Sequence, residues 1–220
     1  MGKGRSRRDW IERHLSDPFV KQATAAGYRS RAAYKLIEID DQEKLLRPGR
    51  LIVDLGAAPG GWSQVAAQRV RSTLSGSTST DGAGRGRVIA LDLLEMEPID
   101  GVQLIRGDFL ETEVLERLES CLDGQRAWLV MSDMAPNLSG MRLRDQANAE
   151  ALAEVSVDFA LRWLAPGGAL LMKVFEGAYV AELRKTLRQS FQKLSTKKPA
   201  ASRDSSSELY LLARGFNGIV

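Results

Sequence analysis

The chain has 220 residues, of which 44% are hydrophobic, and a net charge of +3; this is enough for one domain with a full core but too little for two. A single cysteine, Cys121, excludes an intramolecular disulfide, and a single histidine, His14, leaves no His/Cys cluster for a structural metal. No run approaches the ~20 apolar residues of a membrane span. We therefore expect a monomeric, cytoplasmic protein in a reducing compartment, without a structural metal.

Positive charge is concentrated in two segments of the chain. Residues 1–35 hold nine Lys/Arg against three acids, and residues 182–203 hold seven against one. This distribution is typical of a surface that contacts phosphates, and Tyr28 and Tyr34 among the cations could stack on bases. The alternative is a pair of solvated charged segments. We expect residues 1–30 to form a basic N-terminal extension for RNA and residues 31–220 to form one domain.

Apolar runs alternate with helical patterns along the chain. The runs "RLIVDLG", "RVIALDLL", "VQLIRGDF" and "AWLVMSDMAP" predict strands. A glycine turn and the helix "GWSQVAAQRVRSTL" follow the first strand, residues 71–87 read as an exposed Ser/Thr/Gly insertion, and "TEVLERLESCL" reads as an amphipathic helix. This order predicts an α/β fold with a mostly parallel sheet and helices on both faces.

The C-terminal third continues the alternation. A long helix is predicted from about Asp145 to Leu164, ended by "APGG" and followed by the strand "ALLMKVFE". A helix to about Phe191, a strand near Gln192 to Thr196 and a last strand, "ELYLLAR", close the chain.

Acidic residues occur at or near the ends of four predicted strands: Asp54, Asp92, Asp108 and Asp133. The carboxyl ends of parallel strands form the ligand crevice of such a sheet, so these acids predict a binding site. Each one taken alone could equally be a helix cap or a turn residue.

The turn "GAAPGG" after the first strand distinguishes between two nucleotide cofactors. It is not G-x-G-x-x-G, and Asp54 beside it would repel the pyrophosphate of a dinucleotide. S-Adenosylmethionine carries a positive sulfonium and an ammonium, which carboxylates attract. Its own carboxylate could accept from the backbone N–H groups of the turn, and Asp92 could accept from its ribose hydroxyls. The acids therefore predict S-adenosylmethionine as the cofactor.

Several motifs together identify a family resemblance that spans about Tyr28 to Ala213. The segments "YRSRAAYKL", "VDLGAAPGGWSQ", "VMSDMAPNLSG", "LAPGGALLMKVFEG" and "KKPAASRDSSSELYLLA" resemble the RrmJ/FtsJ family of ribose 2′-O-methyltransferases, in particular its bacterial ribosomal RNA branch. The resemblance implies a Rossmann-like methyltransferase fold with an antiparallel C-terminal strand. The Ser/Thr/Gly insertion at 71–87 is longer than expected for the family.

The resemblance also implies site residues and a reaction. It implies a catalytic tetrad of Lys35, Asp133, Lys173 and Glu208. It implies cofactor contacts by Gly60, Trp62, Asp92, Asp108 and Asp133. The implied activity is 2′-O-methylation of a uridine ribose in 23S ribosomal RNA, acting on the assembled large subunit. The alternatives are a transfer RNA anticodon-loop 2′-O-methyltransferase and a non-catalytic RNA-binding ribosome assembly factor.

Lys173 lies within an otherwise apolar strand, where a charge is costly to bury. It could remove the proton from the 2′-hydroxyl if burial or the neighbouring Lys35 lowered its pKa. It could instead orient the hydroxyl and stabilise the developing oxyanion. Both roles remain open at this point. Cys121, near the end of a predicted surface helix, is not expected to be a nucleophile.

Overall fold

The computed structural model describes residues 17–71, 84–136, 139–202 and 207–218. Its strands are β1 (Leu51–Leu55), β2 (Arg87–Asp92), β3 (Val102–Arg106), β4 (Ala127–Ser132), β5 (Leu164–Phe175), β6 (Phe191–Lys197) and β7 (Glu208–Phe216). Its helices are α1 (Pro18–Ala25), α2 (Ala32–Glu43), α3 (Gly61–Val70), α4 (Thr112–Leu122), α5 (Arg142–Trp163) and α6 (Tyr179–Ser190). His14, Arg203 and most of the 71–87 insertion lie outside the described residues.

The strands form one sheet in the order β3-β2-β1-β4-β5-β7-β6. Strands β1 to β5 are parallel to one another, whereas β7 is antiparallel to both β5 and β6. The predicted α/β class, with a mostly parallel Rossmann-like sheet and an antiparallel C-terminal strand, is confirmed. In such a sheet the carboxyl ends of β1 to β5 all lie at the same end of the strands, and the candidate site is found there.

Helices cover both faces of the sheet and bury two apolar clusters. Alternate strand residues point to opposite faces, so Val53 packs in the cluster under α4, α5 and α6 while Ile52 packs in the cluster under α2 and α3. Both side chains are 0% exposed. Among the described residues, no helix is long and apolar enough to span a membrane.

The segment "APGG" does end α5, but it does not separate the helix from the next strand. Strand β5 begins at Leu164, which is fully buried and pairs with Ala127 of β4. The register then shifts, so that Leu129 of β4 pairs with Ala169. The "APGG" residues therefore form an irregularity inside β5, where Gly167 has a positive φ of 78°.

Two N-terminal helices were not predicted. Helix α1 begins after Asp17, whose side chain accepts a hydrogen bond from the Phe19 backbone N–H, and the Asp-Pro pair is a recognisable start signal. Helix α2 buries Ala33, Leu36 and Ile39, which recur every three residues. The second omission matters because α2 carries Lys35.

Candidate active site

A cavity of about 470 Å³ opens at the carboxyl ends of β1 to β4. Its lining includes the backbone of the glycine turn at Gly56 and Ala58, and apolar side chains such as Leu110 and Met134. Three of the predicted acids also line it: Asp92, Asp108 and Asp133. The described lining contains no lysine or arginine, so the ligand side of the cavity is acidic and apolar.

The glycine turn brings two strand ends into close contact. Gly56 has a positive φ of 73°, and a Cβ at this position would lie 2.4 Å from Cγ of Met134 in the segment after β4. Gly60 also has a positive φ, of 113°, and caps the start of α3. The bare backbone of "GAAPGG" is therefore required by the turn and by the close approach of the next strand.

Backbone amides hold the carboxylates of Asp92 and Asp108 in place. Asp92 Oδ2 accepts from the N–H of Ala58 at 2.8 Å, and its Oδ1 accepts from the N–H of Leu94 at 2.8 Å. Asp108 Oδ1 accepts from the N–H of Leu110 at 3.0 Å. Each ionised carboxylate has about four lone-pair sites, so both side chains can still accept hydrogen bonds from a ligand.

Gly60 and Trp62 do not line this cavity within the described chain. Trp62 is only 2% exposed; its indole N–H donates to the carbonyl of Ala32 at 2.8 Å, and its ring lies 5.7 Å from that of Tyr210. The arrangement places Trp62 between α2 and the sheet. Direct cofactor contacts by Gly60 and Trp62 remain predictions.

Asp54 does not lie at the crevice, so the expectation for this residue needs correction. It is inside β1 and 0% exposed, and its Oδ2 accepts from the Ser63 hydroxyl at 2.6 Å. Burial raises the pKa of Asp54 to about 7, the charges of Asp133 and Asp92 add to the increase, and the Ser63 hydrogen bond opposes it. Asp54 therefore supports the start of α3 from behind the glycine turn.

Lys173 and Asp133 form a close pair at the end of β4. The Lys173 ammonium donates to the backbone carbonyl of Asp133 at 2.6 Å and lies 3.2 Å from its Oδ1. The Lys173 side chain is only 9% exposed. The charge of Lys173 is therefore satisfied by two oxygen atoms of Asp133, and Asp133 also lines the cavity.

Lys35 and Glu208 form a second pair, from α2 and the first residue of β7. Lys35 Nζ lies 2.5 Å from Glu208 Oε1, and the two side chains are 11% and 13% exposed. Burial would raise the pKa of Glu208, but the hydrogen bond and charge of Lys35, with a contribution from Lys173, hold it below its ordinary value. Glu208 is therefore a carboxylate at neutral pH.

Tyr210 links the two pairs, and sequence reasoning missed it. Its hydroxyl donates to Asp133 Oδ1 at 2.9 Å, and Lys35 Nζ lies 5.6 Å from its ring centroid. Burial and the charges of Asp133 and Glu208 raise the pKa of Tyr210, so it remains a neutral donor. The alternation in "ELYLL" could have revealed it, because residues 208 and 210 share one face of a strand.

The structure thus brings all four predicted tetrad residues into one group, the ion-pair cluster of Lys35, Asp133, Lys173 and Glu208. Lys173 pairs with Tyr210 in the β5–β7 register, and Phe175 pairs with Glu208. Asp133 touches both Lys173 and Tyr210. The cluster adjoins the cavity through Asp133, so two amines and two carboxylates lie beside a site that can hold a small ligand.

The described cations of the first basic segment are largely used within the fold. Arg29 donates to the carbonyls of Glu97 and Pro98 at 2.6 Å each, and Arg31 pairs with Asp17. These contacts fasten the segment around Tyr28 to the glycine-turn side of the molecule. The phosphate contacts predicted for this segment stay a prediction, and five of its nine Lys/Arg lie in residues 1–16, outside the described residues.

The second basic segment is also partly neutralised. Glu43, the last residue of α2, pairs with both Lys197 of β6 and Arg214 of β7. The hydrogen bond from Lys197 lowers the pKa of Glu43, with support from Arg214, against the effect of burial. Lys185 pairs with Glu182 on the surface of α6 at 3.1 Å.

The fold defines a class, the Rossmann-like methyltransferases, and acidic side chains line its crevice. The model of the FtsJ-like methyltransferase family matches residues 28–216. The chain belongs to the FtsJ-like methyltransferase family, which confirms the resemblance found in the sequence motifs.

Known relatives and solved structures agree with this assignment. The ribosomal RNA large subunit methyltransferase E of Methylobacillus flagellatus is 54% identical over 203 residues, covering 92% of each chain. The protein of the same name from Bordetella pertussis is 49% identical over 214 residues, covering 97% of this chain and 99% of its own length. A crystal structure assigned as a ribosomal RNA methyltransferase from Plasmodium falciparum is 30% identical and covers 87% of this chain and all of its own, with a TM-score of 0.72.

Proposed function

We propose that this protein transfers a methyl group from S-adenosylmethionine to the 2′-hydroxyl of a uridine ribose in 23S ribosomal RNA, acting on the assembled large subunit. The observation that carries the proposal is the double position of Asp133. It lines the cavity, pairs with Lys173 of the ion-pair cluster and accepts a hydrogen bond from Tyr210. A methyl donor in the cavity would therefore lie next to amines that can donate hydrogen bonds to the ribose hydroxyl that accepts the methyl group.

The cavity suits a cofactor with cationic groups and hydrogen-bond donors. Its volume of about 470 Å³ is within the range of small-molecule sites. Asp92 and Asp108 would accept hydrogen bonds from the cofactor, and the exposed side chains of Leu93, Leu94 and Leu110 offer apolar contact. When bound, S-adenosylmethionine supplies a methyl group activated by a positively charged sulfur.

Lys173 would orient the ribose hydroxyl and stabilise the negative charge that develops on its oxygen as the hydroxyl proton passes to water. Its contacts with the carbonyl and the carboxylate of Asp133 hold the amine at a fixed position, which suits this orienting role. Lys35, held by Glu208, adds a second positive charge close by. Tyr210 fixes the Asp133 carboxylate that positions Lys173.

Large-subunit ribosomal RNA as the substrate is supported by the names of the relatives from Methylobacillus and Bordetella. The choice of uridine, ribose and assembled subunit rests on the sequence motifs. The test is a map of 2′-O-methyl positions in total RNA with and without the gene, followed by assays with labelled methyl donor. Substrates for the assay are large subunits, protein-free 23S RNA and transfer RNA.

A missing 2′-O-methyl uridine in 23S RNA, restored by the protein on isolated subunits, is the expected result. Methyl transfer confined to transfer RNA would replace the proposed substrate with an anticodon-loop nucleotide. No transfer to any of the three RNAs would favour the non-catalytic assembly factor.

A further inference from the structure

A cationic surface lies at the opposite end of the sheet from the ion-pair cluster. The guanidinium carbons of Arg47 and Arg50 lie 4.9 and 4.5 Å from the ring centroid of Trp128. Arg50 directly precedes β1, and Trp128 is the second residue of β4. We call this surface the Trp128 patch and define it as Lys44, Arg47, Arg50, Arg85 and Trp128.

The backbone beneath the Trp128 patch is fixed by hydrogen bonds. The indole N–H of Trp128 donates to the carbonyl of Leu45 at 3.0 Å, and the N–H of Gly49 donates to the carbonyl of Val70 at 3.2 Å. The segment that carries Arg85 lies alongside, because Arg87 donates its backbone N–H to the carbonyl of Arg50 at 3.0 Å. The cations are therefore presented from a fixed platform.

The positive charge of the Trp128 patch is not compensated within the described chain. Lys44, Arg47, Arg50 and Arg85 are exposed and form no ion pair with any described acid. By contrast, Arg69 and Arg214 nearby in the fold each pair with an acid. Two guanidinium groups beside one ring repel each other, and an anion between them would remove that repulsion.

We propose that the Trp128 patch binds the phosphate backbone of RNA, at a point distant from the methylated nucleotide. Planar guanidinium groups bind phosphate oxygens bidentately, and the Trp128 ring holds the two arginines side by side for this purpose. Asp133 is five residues further along the same strand and its extension, or about 17 Å away. The inference rests on the proposed function, because it takes RNA as the partner.

The test compares two double variants that remove the same charge. Arg47→Gln/Arg50→Gln should weaken binding to protein-free 23S RNA and reduce the slope of log affinity against log salt by about 1 to 2. The control, Arg117→Gln/Arg162→Gln, removes two exposed cations from α4 and α5 and should change the slope much less. Both variants should bind S-adenosylmethionine as the unmodified protein does and unfold at a similar temperature.

Steady-state kinetics separate binding at the patch from damage to the active site. The Arg47→Gln/Arg50→Gln variant should raise KM for RNA several-fold and leave kcat unchanged. Arg47→Lys/Arg50→Lys keeps the charge, so it should keep the salt slope while losing part of the affinity, because an ammonium cannot bind phosphate bidentately.

Three results would overturn the inference. One is an equal loss of salt slope in the two Gln double variants, and another is an unchanged slope in Arg47→Gln/Arg50→Gln. The third is a loss seen with assembled subunits but not with protein-free RNA, which would indicate a ribosomal protein as the partner. Failure of the unmodified protein to methylate RNA would overturn the proposed function alone, since the affinity measurement does not depend on methyl transfer.

Discussion

Acidic residues at the two sides of the site are held in different ways. In the cavity, Asp92 and Asp108 accept hydrogen bonds from backbone N–H groups, which carry no net charge. In the cluster at β5 and β7, Asp133 and Glu208 are paired with Lys173 and Lys35. The first side therefore keeps its negative charge, whereas the second is close to neutral.

This difference matches each side to a different partner. A cavity with uncompensated carboxylates attracts a cationic ligand such as a sulfonium, and it disfavours a pyrophosphate. A charge-balanced cluster can accept a neutral hydroxyl group and still respond to the charge that develops as the hydroxyl reacts.

Removing Lys173 should have the largest effect. Lys173→Ala should reduce methyl transfer by about 10²- to 10⁴-fold while binding of cofactor and RNA stays within a few-fold, because the residue acts mainly in the transition state. Lys173→Arg should fail too, since a planar guanidinium does not replace a compact ammonium. Labelled-methyl assays with Arg117→Ala, which removes an exposed cation of α4, serve as the control. Near-normal activity of Lys173→Ala would remove it from the mechanism.

Changing Asp92 should affect only the cavity side. Asp92→Ala should weaken binding of S-adenosylmethionine by about 10- to 100-fold, because it removes a charged acceptor and frees the N–H groups of Ala58 and Leu94. Calorimetry on this variant and on Asp100→Ala, an exposed acid further along the chain, measures the effect. NAD should not compete, and NAD binding as tight as that of the methyl donor would contradict the electrostatic argument.

Deleting residues 1–16 should affect neither side of the site directly. These residues hold five Lys/Arg and two acids, so their loss should weaken RNA binding by several-fold and flatten its salt dependence. The deletion stops before Asp17 because this residue caps α1 and pairs with Arg31. Cofactor affinity, measured by calorimetry, should not change. If the salt slope of RNA binding is the same in both proteins, the segment is a solvated tail.

The smallest effect on the site is expected from a change of Asp54, which is buried inside β1 behind the glycine turn. Its pKa of about 7 is above that of an unfolded aspartate, so the folded state binds the proton more tightly. The stability that this preference provides is complete below about pH 4 and is lost as pH rises to about 7. Asp54→Asn should therefore flatten the pH dependence of the unfolding free energy between pH 4 and 7. Denaturant melts at several pH values test this, and parallel curves for both proteins would contradict it.

Sequence patterns predicted the strands well because buried strands of a parallel sheet are continuous apolar runs. They did not predict that "APGG" joins β5, since this depends on the pairing of Leu164 with Ala127 across the sheet. They placed Asp54 at the crevice, although it is buried inside β1, where the Ser63 hydroxyl of the next helix donates to it. The motifs named all four members of the ion-pair cluster, but spacing alone cannot pair Lys35 with Glu208, which are 173 positions apart.

Helix α2 is held in place at both of its ends. Glu43 is bound by Lys197 and Arg214 at one end of the helix, while the carbonyl of Ala32 at the other end is bound by Trp62. Lys35 lies eight residues before Glu43, or about 12 Å along the axis. Because β7 carries both Arg214 and Glu208, the strand that holds the acid also fixes the helix that holds its lysine. Helix and strand are therefore joined at two points, by the Arg214–Glu43 and Lys35–Glu208 ion pairs, so that one strand sets the position of the lysine and of its acid together.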